Sequence, residues 1–597
     1  MLPLPLVLVA LQARDPYVRT HDQEVRVLHR PGSLAPVDPG GRELAFPPPC
    51  SVDAAGRHNE AVAGGGTLAP GAFFNPATVI GPASGSASTA FVSQVSGSTR
   101  NQGVFVSDGT TLTNIALGCG ALGGGGSTGV CGDPTPIGGT FSGFFTGTVF
   151  TPAVNAAGDV LFFAEVVGGS STRGLFLYQG ASGAIVKVAV VGDPSPLGGT
   201  FAIVGPGSLN ASGQVAFLAS GGTAGVSDVF LWSAGVVTKV AASGDVAPLG
   251  STYQFLGSES FGFVDGSTIP AGPVPDIDDA GNIVFRAITF SGRRGIVRKP
   301  AVGAASWLVD NTVTSPIGGL FFDIQGACLN EAGEIAFFAD VQLSPGVFNS
   351  GWFVGDGASF RAALVFGDPV GAGTANGLAF SRNPMTPLDD AGNLMLWTDV
   401  ALGGGGSREH IVVSAPDGSL TIVARQTDPA PTGGNYGGFD AWPSLDAHGR
   451  GAFGCGTPGA PGGQVSAHFL FEACPAASRT LRNGTGVNRL CLNGTAPVLG
   501  APWNLVVNAN GHTGATLTSI AFRAAPNPGV LLPFGELLID LSSTRLFTSS
   551  KPAAGFTVHT LAVPLDASLA GVPLSLQALI LGGSPELCNA IDAVLGF

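Results

Sequence analysis

One phrase, returning seven times, limits this chain more than anything else in it. The phrase is a turn of Asn or Asp, two small residues and Gly, followed by an apolar strand that usually holds Phe. It reads Asn155-Ala-Ala-Gly158 before VLFFA, Asn210-Ala-Ser-Gly213 before QVAFLA, Asp278-Asp-Ala-Gly281 before NIVFRA, and Asn330-Glu-Ala-Gly333 before EIAFFA. Asp389-Asp-Ala-Gly392 with NLMLWT, Asp446-Ala-His-Gly449 with RGAF, and a degenerate Pro82-Ala-Ser-Gly85 with STAFV are the other three. From Gly85 to Gly449 the copies stand about 61 residues apart, too far for an ankyrin or leucine-rich unit and suited to a four-stranded blade with variable loops.

The chemistry of the phrase is that of a hairpin. Asn or Asp opens the turn by bonding its own backbone, and Gly takes the positive-φ position at its end. A second apolar strand follows in each unit, as in Gly174-Leu-Phe-Leu177 and Gly351-Trp-Phe-Val354, then an alternating strand such as Ala184 to Val190. A connector closes the unit: Gly132-Asp-Pro-Thr-Pro-Ile-Gly-Gly-Thr-Phe141, Gly192 to Phe201 and Gly244 to Tyr253 are the best copies. Pro has no ladder donor, so this segment ends pairing and carries the chain onward. The expected fold is all-β: a seven-bladed β-propeller of four-stranded blades.

The seventh unit reaches its third strand at Ala467 to Phe471 and runs into Cys474 without a fourth. Ala61-Val-Ala63, followed by Gly64 to Phe74, matches a fourth strand plus connector that lacks its own hairpin. The N-terminal segment is therefore expected to complete the seventh blade and remove two exposed sheet edges. This divides the chain into a possible signal peptide (1–13), an irregular extension (14–60), the propeller (61–474) and a C-terminal unit (479–597). The last carries short apolar stretches broken by turns, which suggests a β-sandwich.

The turn-plus-strand phrase resembles TolB-like and other bacterial propeller repeats, without their Trp-Ser-Pro-Asp-Gly wording. From about Ala61 to Cys474 it is closer to the uncharacterised tandem repeats "LNxxGxVAF…GIF…VAxxGDxxPxGGTF" of secreted bacterial proteins. The C-terminal stretch resembles accessory domains of exported bacterial proteins through Gly484-Thr-Gly-Val-Asn488, Pro497 to Gly500, Gly535 to Asp540, Leu561 to Gly571, Gln577-Ala-Leu579 and Glu586 to Gly596. These resemblances imply a fold and an exported protein and leave activity open, since propellers host hydrolases, lyases, lectins and scaffolds alike.

Composition excludes several alternatives. Charged residues are 11% and apolar ones 45%, the opposite of a disordered chain. With Gly 93 and Pro 44, a helical bundle is prohibitive. A net charge of −14 argues against nucleic acid. Met1 to Ala13 has the length of a signal-peptide core without a basic leader, an apolar strand being the other reading, and no later run is long enough to span a bilayer. Eight cysteines without a CxxC pair point to disulfides in an oxidising compartment. Cys119–Cys131, bracketing a Gly-rich loop, and Cys491–Cys588, near the two ends of the C-terminal unit, are the expected bridges.

No HExxH or P-loop occurs, and no GxSxG elbow or dinucleotide fingerprint stands between a strand and a helix. Asp133, Asp193, Asp245 and Asp368 recur at one connector position. They read either as hard oxygen donors for Ca2+ or a polar ligand, or, as their repetition favours, as acceptors that shape each turn. Asp276 to Asn282 resembles a calcium loop but lacks the distal Glu, so a hairpin turn is expected. His410, His448 and His468 lie in the last two units and offer an acid–base pair only if two of them meet. Phe 38 against Tyr 4 suits blade cores better than sugar binding. The sequence thus points to a secreted or cell-surface binding or scaffold protein. It would be monomeric and cofactor-free, with Ca2+ the one ion to consider and an extracellular polymer or protein as partner. The alternative is a hydrolase or lyase of extracellular polysaccharides or esters, acting at the central channel.

Overall fold

A computed structural model describes residues 49–57, 60–63, 67–68, 78–80, 88–108, 110–119, 132–144, 152–221, 227–257, 261–264, 267–270, 274–378, 387–440, 443–460, 466–473, 477–564 and 569–596. The possible signal peptide and most of the extension lie outside them. Among the described residues there is no α-helix. The structure is all-β and falls into two compact units, which among the described residues divide between Ser51 and Val52 and between Glu472 and Ala473.

The first unit holds seven antiparallel sheets of four or five strands, whose strands follow one another in the chain in all but the seventh. Six occupy residues 67–118, 140–190, 203–241, 253–310, 320–365 and 369–425 in turn. The seventh runs through Ser444–Leu445, Arg450–Gly456 and Ser466–Ala473, and its fourth strand is Pro49–Arg57 from the start of the chain. The third sheet illustrates the pattern. Asn210 to Gly213 turns the chain from Ile203–Leu209 into Val215–Ser220, whose six residues are all buried. The amide of Gly213 reaches the Asn210 carbonyl at 3.0 Å, with Gly213 at φ +74°. Such continuous burial is that of a sheet covered on both faces.

What covers each sheet is its neighbour. Phe162 and Phe141 of the second pack with Ala90 and Val92 of the first. Phe217 of the third meets Leu161 and Phe163 of the second, Phe285 of the fourth meets Ala216 and Leu218 of the third, and Phe337 of the fifth meets Val284 and Ile296 of the fourth. Leu394 and Leu396 of the sixth join Ala336 and Phe338 of the fifth, and Phe91 and Phe105 of the first pack with Ala452 and Leu470 of the seventh. Four of the connectors end on an aromatic that turns edge-on to its own sheet's third strand: Phe141 to Phe176 at 5.3 Å, Phe201 to Phe230 at 5.1 Å, Phe321 to Phe353 at 5.0 Å and Tyr436 to Phe469 at 5.3 Å. This is the favoured aromatic geometry. It explains why the phrase GGTF recurs.

Two expectations about the chain start need correction. The extension before residue 61 is not irregular throughout, because Pro49–Arg57 is a strand. Ala61 to Ala63 is not the strand of the seventh sheet. Ala61 bridges Thr67, as Pro134 bridges Thr140 and Pro194 bridges Thr200, so Ala61 and Thr67 stand where a connector's two ends meet. Leu68 N–H donates to the Glu60 carbonyl just as Phe141 N–H donates to Asp133. PCSVDAAGR carries only a short alternation of small apolar residues, Cys50, Val52 and Ala54, and none of the Phe common in the phrase strands. An outermost strand is held largely by ladder hydrogen bonds, which leave little trace in side-chain sequence.

The C-terminal unit packs small antiparallel sheets around one core. Its five-stranded sheet runs in the order Ser478–Arg482, Glu586–Val594, Pro573–Leu581, Leu517–Arg523, Arg545–Pro552; its three-stranded sheet is Leu492–Gly494, Pro502–Asn508, Phe556–Ala562. Trp503, Leu505 and Val507 of one face Ile520, Phe522, Leu576 and Ile591 of the other. Cys491 and Cys588 form the expected disulfide, tying the three-stranded sheet's start to the last strand. The polar residues singled out by resemblance anchor a hairpin, Pro526–Leu532 with Gly535–Ile539. Asn488 Nδ2 donates to the Glu536 carbonyl at 2.8 Å and its Oδ1 accepts Glu536 N–H at 2.7 Å. Gln577 Nε2 donates to the carbonyls of Glu536 and Cys588, while its Oε1 accepts Leu538 N–H. These groups are buried and satisfied, as a stable polar core requires.

Candidate functional site

The phrase turns do more than reverse the chain. Their first residue, Asn or Asp, accepts the amide four residues on: Asp159 N–H to Asn155 Oδ1 at 2.9 Å, Gln214 to Asn210 at 2.9 Å, Asn282 to Asp278 at 2.7 Å, Glu334 to Asn330 at 2.8 Å, Asn393 to Asp389 at 2.7 Å and Arg450 to Asp446 at 2.9 Å. The side chains at the two positions are complementary. Where the first is Asn, the fifth is an acceptor that takes its Nδ2 (Asp159, Gln214, Glu334). Where the first is Asp, the fifth is a donor (Asn282, Asn393, Arg450).

An Asn in this place also reaches the next sheet. Asn155 Nδ2 donates to the Asn210 carbonyl at 3.0 Å, Asn210 to that of Asp278 at 3.0 Å, and Asn330 to that of Asp389 at 2.8 Å. A second relay runs beside the first through the following residue. Ala211 N–H donates to Asp279 Oδ1, Asp279 N–H to both Glu331 carboxylate oxygens at 3.0 Å, and Glu331 N–H to Asp390 Oδ1 at 2.9 Å.

These turns enclose a cavity of about 290 Å³. Among the described residues six sheets contribute to it; the first sheet's phrase turn, Pro82 to Gly85, lies outside them. The residue before the phrase forms an apolar wall (Val154, Leu209, Ile277, Leu329, Leu388, Leu445), and the second phrase residue faces in beside it. That second residue is Ala156, Ala211 and Ala447 in three sheets, but Asp279, Glu331 and Asp390 in the consecutive fourth, fifth and sixth. Asp276, Asp446 and His448 also line the cavity. Burial pushes the Asp276 carboxyl up to about 6, against the pull of the Leu329 and Ile277 amides. Partial loss of water, added to the charges of Asp279, Asp278 and Asp390, pushes Glu331 up to about 7. Both effects disfavour the charged form.

Of the three histidines, only His448 lines the cavity. His410 is buried in the sixth sheet with Nδ1 at 2.9 Å from the Arg408 carbonyl, and burial lowers its pKa. His468 is buried in the seventh, stacked on Phe91 at 4.4 Å between ring centres, and burial pushes it down to about 3. The connector aspartates sit on four different sheets and each is engaged with its own. Asp193 Oδ2 accepts Val190 N–H, Asp245 accepts Ala242, Asp368 accepts Val365 and Asp133 accepts Leu117, all between 2.8 and 3.0 Å. Lys187, Lys239 and Arg100 pair with the other oxygen of Asp193, Asp245 and Asp133. Among the described residues no group of three His, Cys, Asp or Glu is arranged to hold a metal. Asp276 to Asn282 is a hairpin turn. Cys119 is disulfide-bonded, and Cys131 lies outside the described residues.

The acidic arc of Asp279, Glu331 and Asp390 escaped the sequence reading. Its signal was present as an exception within the repeat: acid where other copies carry Ala.

Fold and site together define a protein of repeated antiparallel sheets whose phrase turns line a cavity with an apolar wall and an acidic arc. The chain matches the Family of unknown function (DUF7453) over residues 52–297 and 229–476, and it belongs to that family. No curated protein matches it. Similar solved structures include a protein of unknown function from Dyadobacter fermentans (10% identity, 72% of this chain and 100% of that one, TM-score 0.27). A Trypanosoma rangeli sialidase (10%, 91% and 91%, 0.27) and an Aleuria aurantia lectin (11%, 59% and 94%, 0.26) are others. Among the described residues no helix is long and apolar enough to cross a membrane.

Proposed function

We propose that the first unit is a seven-bladed β-propeller closed by Pro49–Arg57, and that the protein works outside the cell as a binding module whose ligand seats in the cavity. Closure is supported by the packing sequence, which runs from each sheet to the next through the sixth and joins the seventh back to the first. An oxidising location is supported by the Cys491–Cys588 disulfide.

The observation that carries the binding reading is the broken repeat at the second phrase position. A residue that serves the blade recurs in every blade. An arc of carboxylates on one side of a shared cavity instead serves what enters it. Carboxylates accept hydrogen bonds from hydroxyl and ammonium groups, so a hydroxyl-rich end of an extracellular polymer, or a cationic group, suits the cavity. A hydrolase or lyase is the second reading, favoured by Glu331: a carboxyl that keeps its proton near neutral pH is what a general acid needs.

Binding of extracellular polysaccharide and peptide fragments by calorimetric titration tests the proposal. A ligand bound by the natural chain and at least tenfold weaker with D279N/D390N, the melting temperature unchanged, is the expected result. Undiminished binding by that variant places the ligand elsewhere. Ligand turnover lost in E331Q replaces the binding reading with the enzymatic one.

A further inference from the structure

The junction between the fourth and fifth sheets is built differently from its neighbours. At the junctions of the second with the third, the third with the fourth and the fifth with the sixth, an Asn amide crosses to the next sheet's carbonyl. The fourth sheet carries Asp278 at this position, and a carboxylate has no N–H to give. Two carboxyls cross in its place, in opposite directions. Asp276 of the fourth sheet accepts Leu329 N–H of the fifth at 2.8 Å, and Glu331 of the fifth accepts Asp279 N–H of the fourth.

We infer that this reciprocal clasp is a pH-responsive seam, holding the two sheets most tightly when Asp276 and Glu331 are protonated and loosening as both ionise. The charged groups around it all act in one sense on the cavity side. Asp278 and Asp279 face Glu331 from the fourth sheet and Asp390 faces it from the sixth, while Asp278 and the buried Cys328 lie near Asp276. Asp446 and His448 complete the titratable lining. Of the cations near the junction, Arg361 donates to the Gly392 carbonyl and to Ser414, and Arg286 of the fourth sheet donates to the Ile324 carbonyl and pairs with Asp323 of the fifth. Ionisation therefore adds negative charge to an already acidic arc.

The sign is set by burial of Asp276, 3% exposed, and by the partial loss of water and the crowding carboxylates at Glu331. These disfavour the charged forms more than the accepted amides favour them, and raise the two groups to about 6 and about 7. Stabilisation by a group with a raised folded value is complete below its unfolded value, near 4 here, and is lost as pH climbs through the folded one. One fully linked proton changes the opening equilibrium tenfold per pH unit. Water reaching Glu331 reduces that to about three- to tenfold between pH 5.5 and 7.5.

Native-state hydrogen exchange on the full chain, corrected for intrinsic pH dependence, reads the seam directly. Protection of the Asp279 and Leu329 amides should fall by that factor, while the amides of Asp159 and Gln214, capped by Asn155 and Asn210, should not change. E331Q should abolish the step at Asp279 and D276N the step at Leu329. D278N, which restores the crossing amide, should blunt both and serves if either other variant misfolds. Flat protection at both amides in the natural chain, an equal loss at the control amides, or a step that persists in both E331Q and D276N would overturn the inference.

Discussion

Replacing Asn330 tests the pairing rule of the phrase turns. Asn330 is 4% exposed and makes three bonds: it accepts Glu334 N–H at 2.8 Å, donates to Glu334 Oε2 at 3.2 Å, and donates across to the Asp389 carbonyl at 2.8 Å. At about 1 kcal/mol for each net bond, with a further penalty for a buried carbonyl left alone, Asn330→Ala should cost about 3–4 kcal/mol. Asn330→Asp keeps the cap but sets a carboxylate against Glu334, and should cost about as much. Adding Glu334→Asn rebuilds the arrangement seen at Asp278 with Asn282 and at Asp389 with Asn393. The double variant should recover about 2 kcal/mol, leaving only the crossing bond unmade. Urea unfolding of the full chain at fixed pH, fitted as two transitions for its two units, measures each corner of the cycle, including Glu334→Asn alone. A double variant no more stable than Asn330→Asp would refute the complementarity argument.

Two further predictions concern the unit as a whole. Deleting residues 1–57 strips the partner from Ser466–Ala473 and should lower the first unit's melting temperature by several degrees; an unchanged value by calorimetry would refute closure. His468 stays neutral when folded, with its value depressed to about 3, so its contribution is complete above pH 6.5 and is lost as pH falls, by up to about 1.4 kcal/mol per unit. His468→Phe, which keeps the ring against Phe91, should flatten this acid limb in a pH series of unfolding midpoints, and an unaltered slope would assign the limb to other groups.

The unit length, the hairpin turns and the buried Phe positions are all local matters. Turn chemistry acts within five residues and strand patterning within eight, so Asn210 to Ser220 announces its hairpin without knowing its neighbours. The Cys491–Cys588 bridge was legible because the cysteines flank one unit. The connector aspartates were legible too, since a residue repeated with every turn can be read against the turn it shapes.

What the tertiary structure alone decided is which residues meet across sheets. Pro49–Arg57, and not Ala61–Ala63, completes the seventh sheet, because pairing at an outer edge draws on backbone groups that every sequence has. Asp279, Glu331 and Asp390 are separated by more than fifty residues each, and nothing local tells an exposed turn carboxylate from a cavity wall. Their shared surroundings, and the raised values of Asp276 and Glu331, arise only when six turns are brought around one space and water is partly excluded from it.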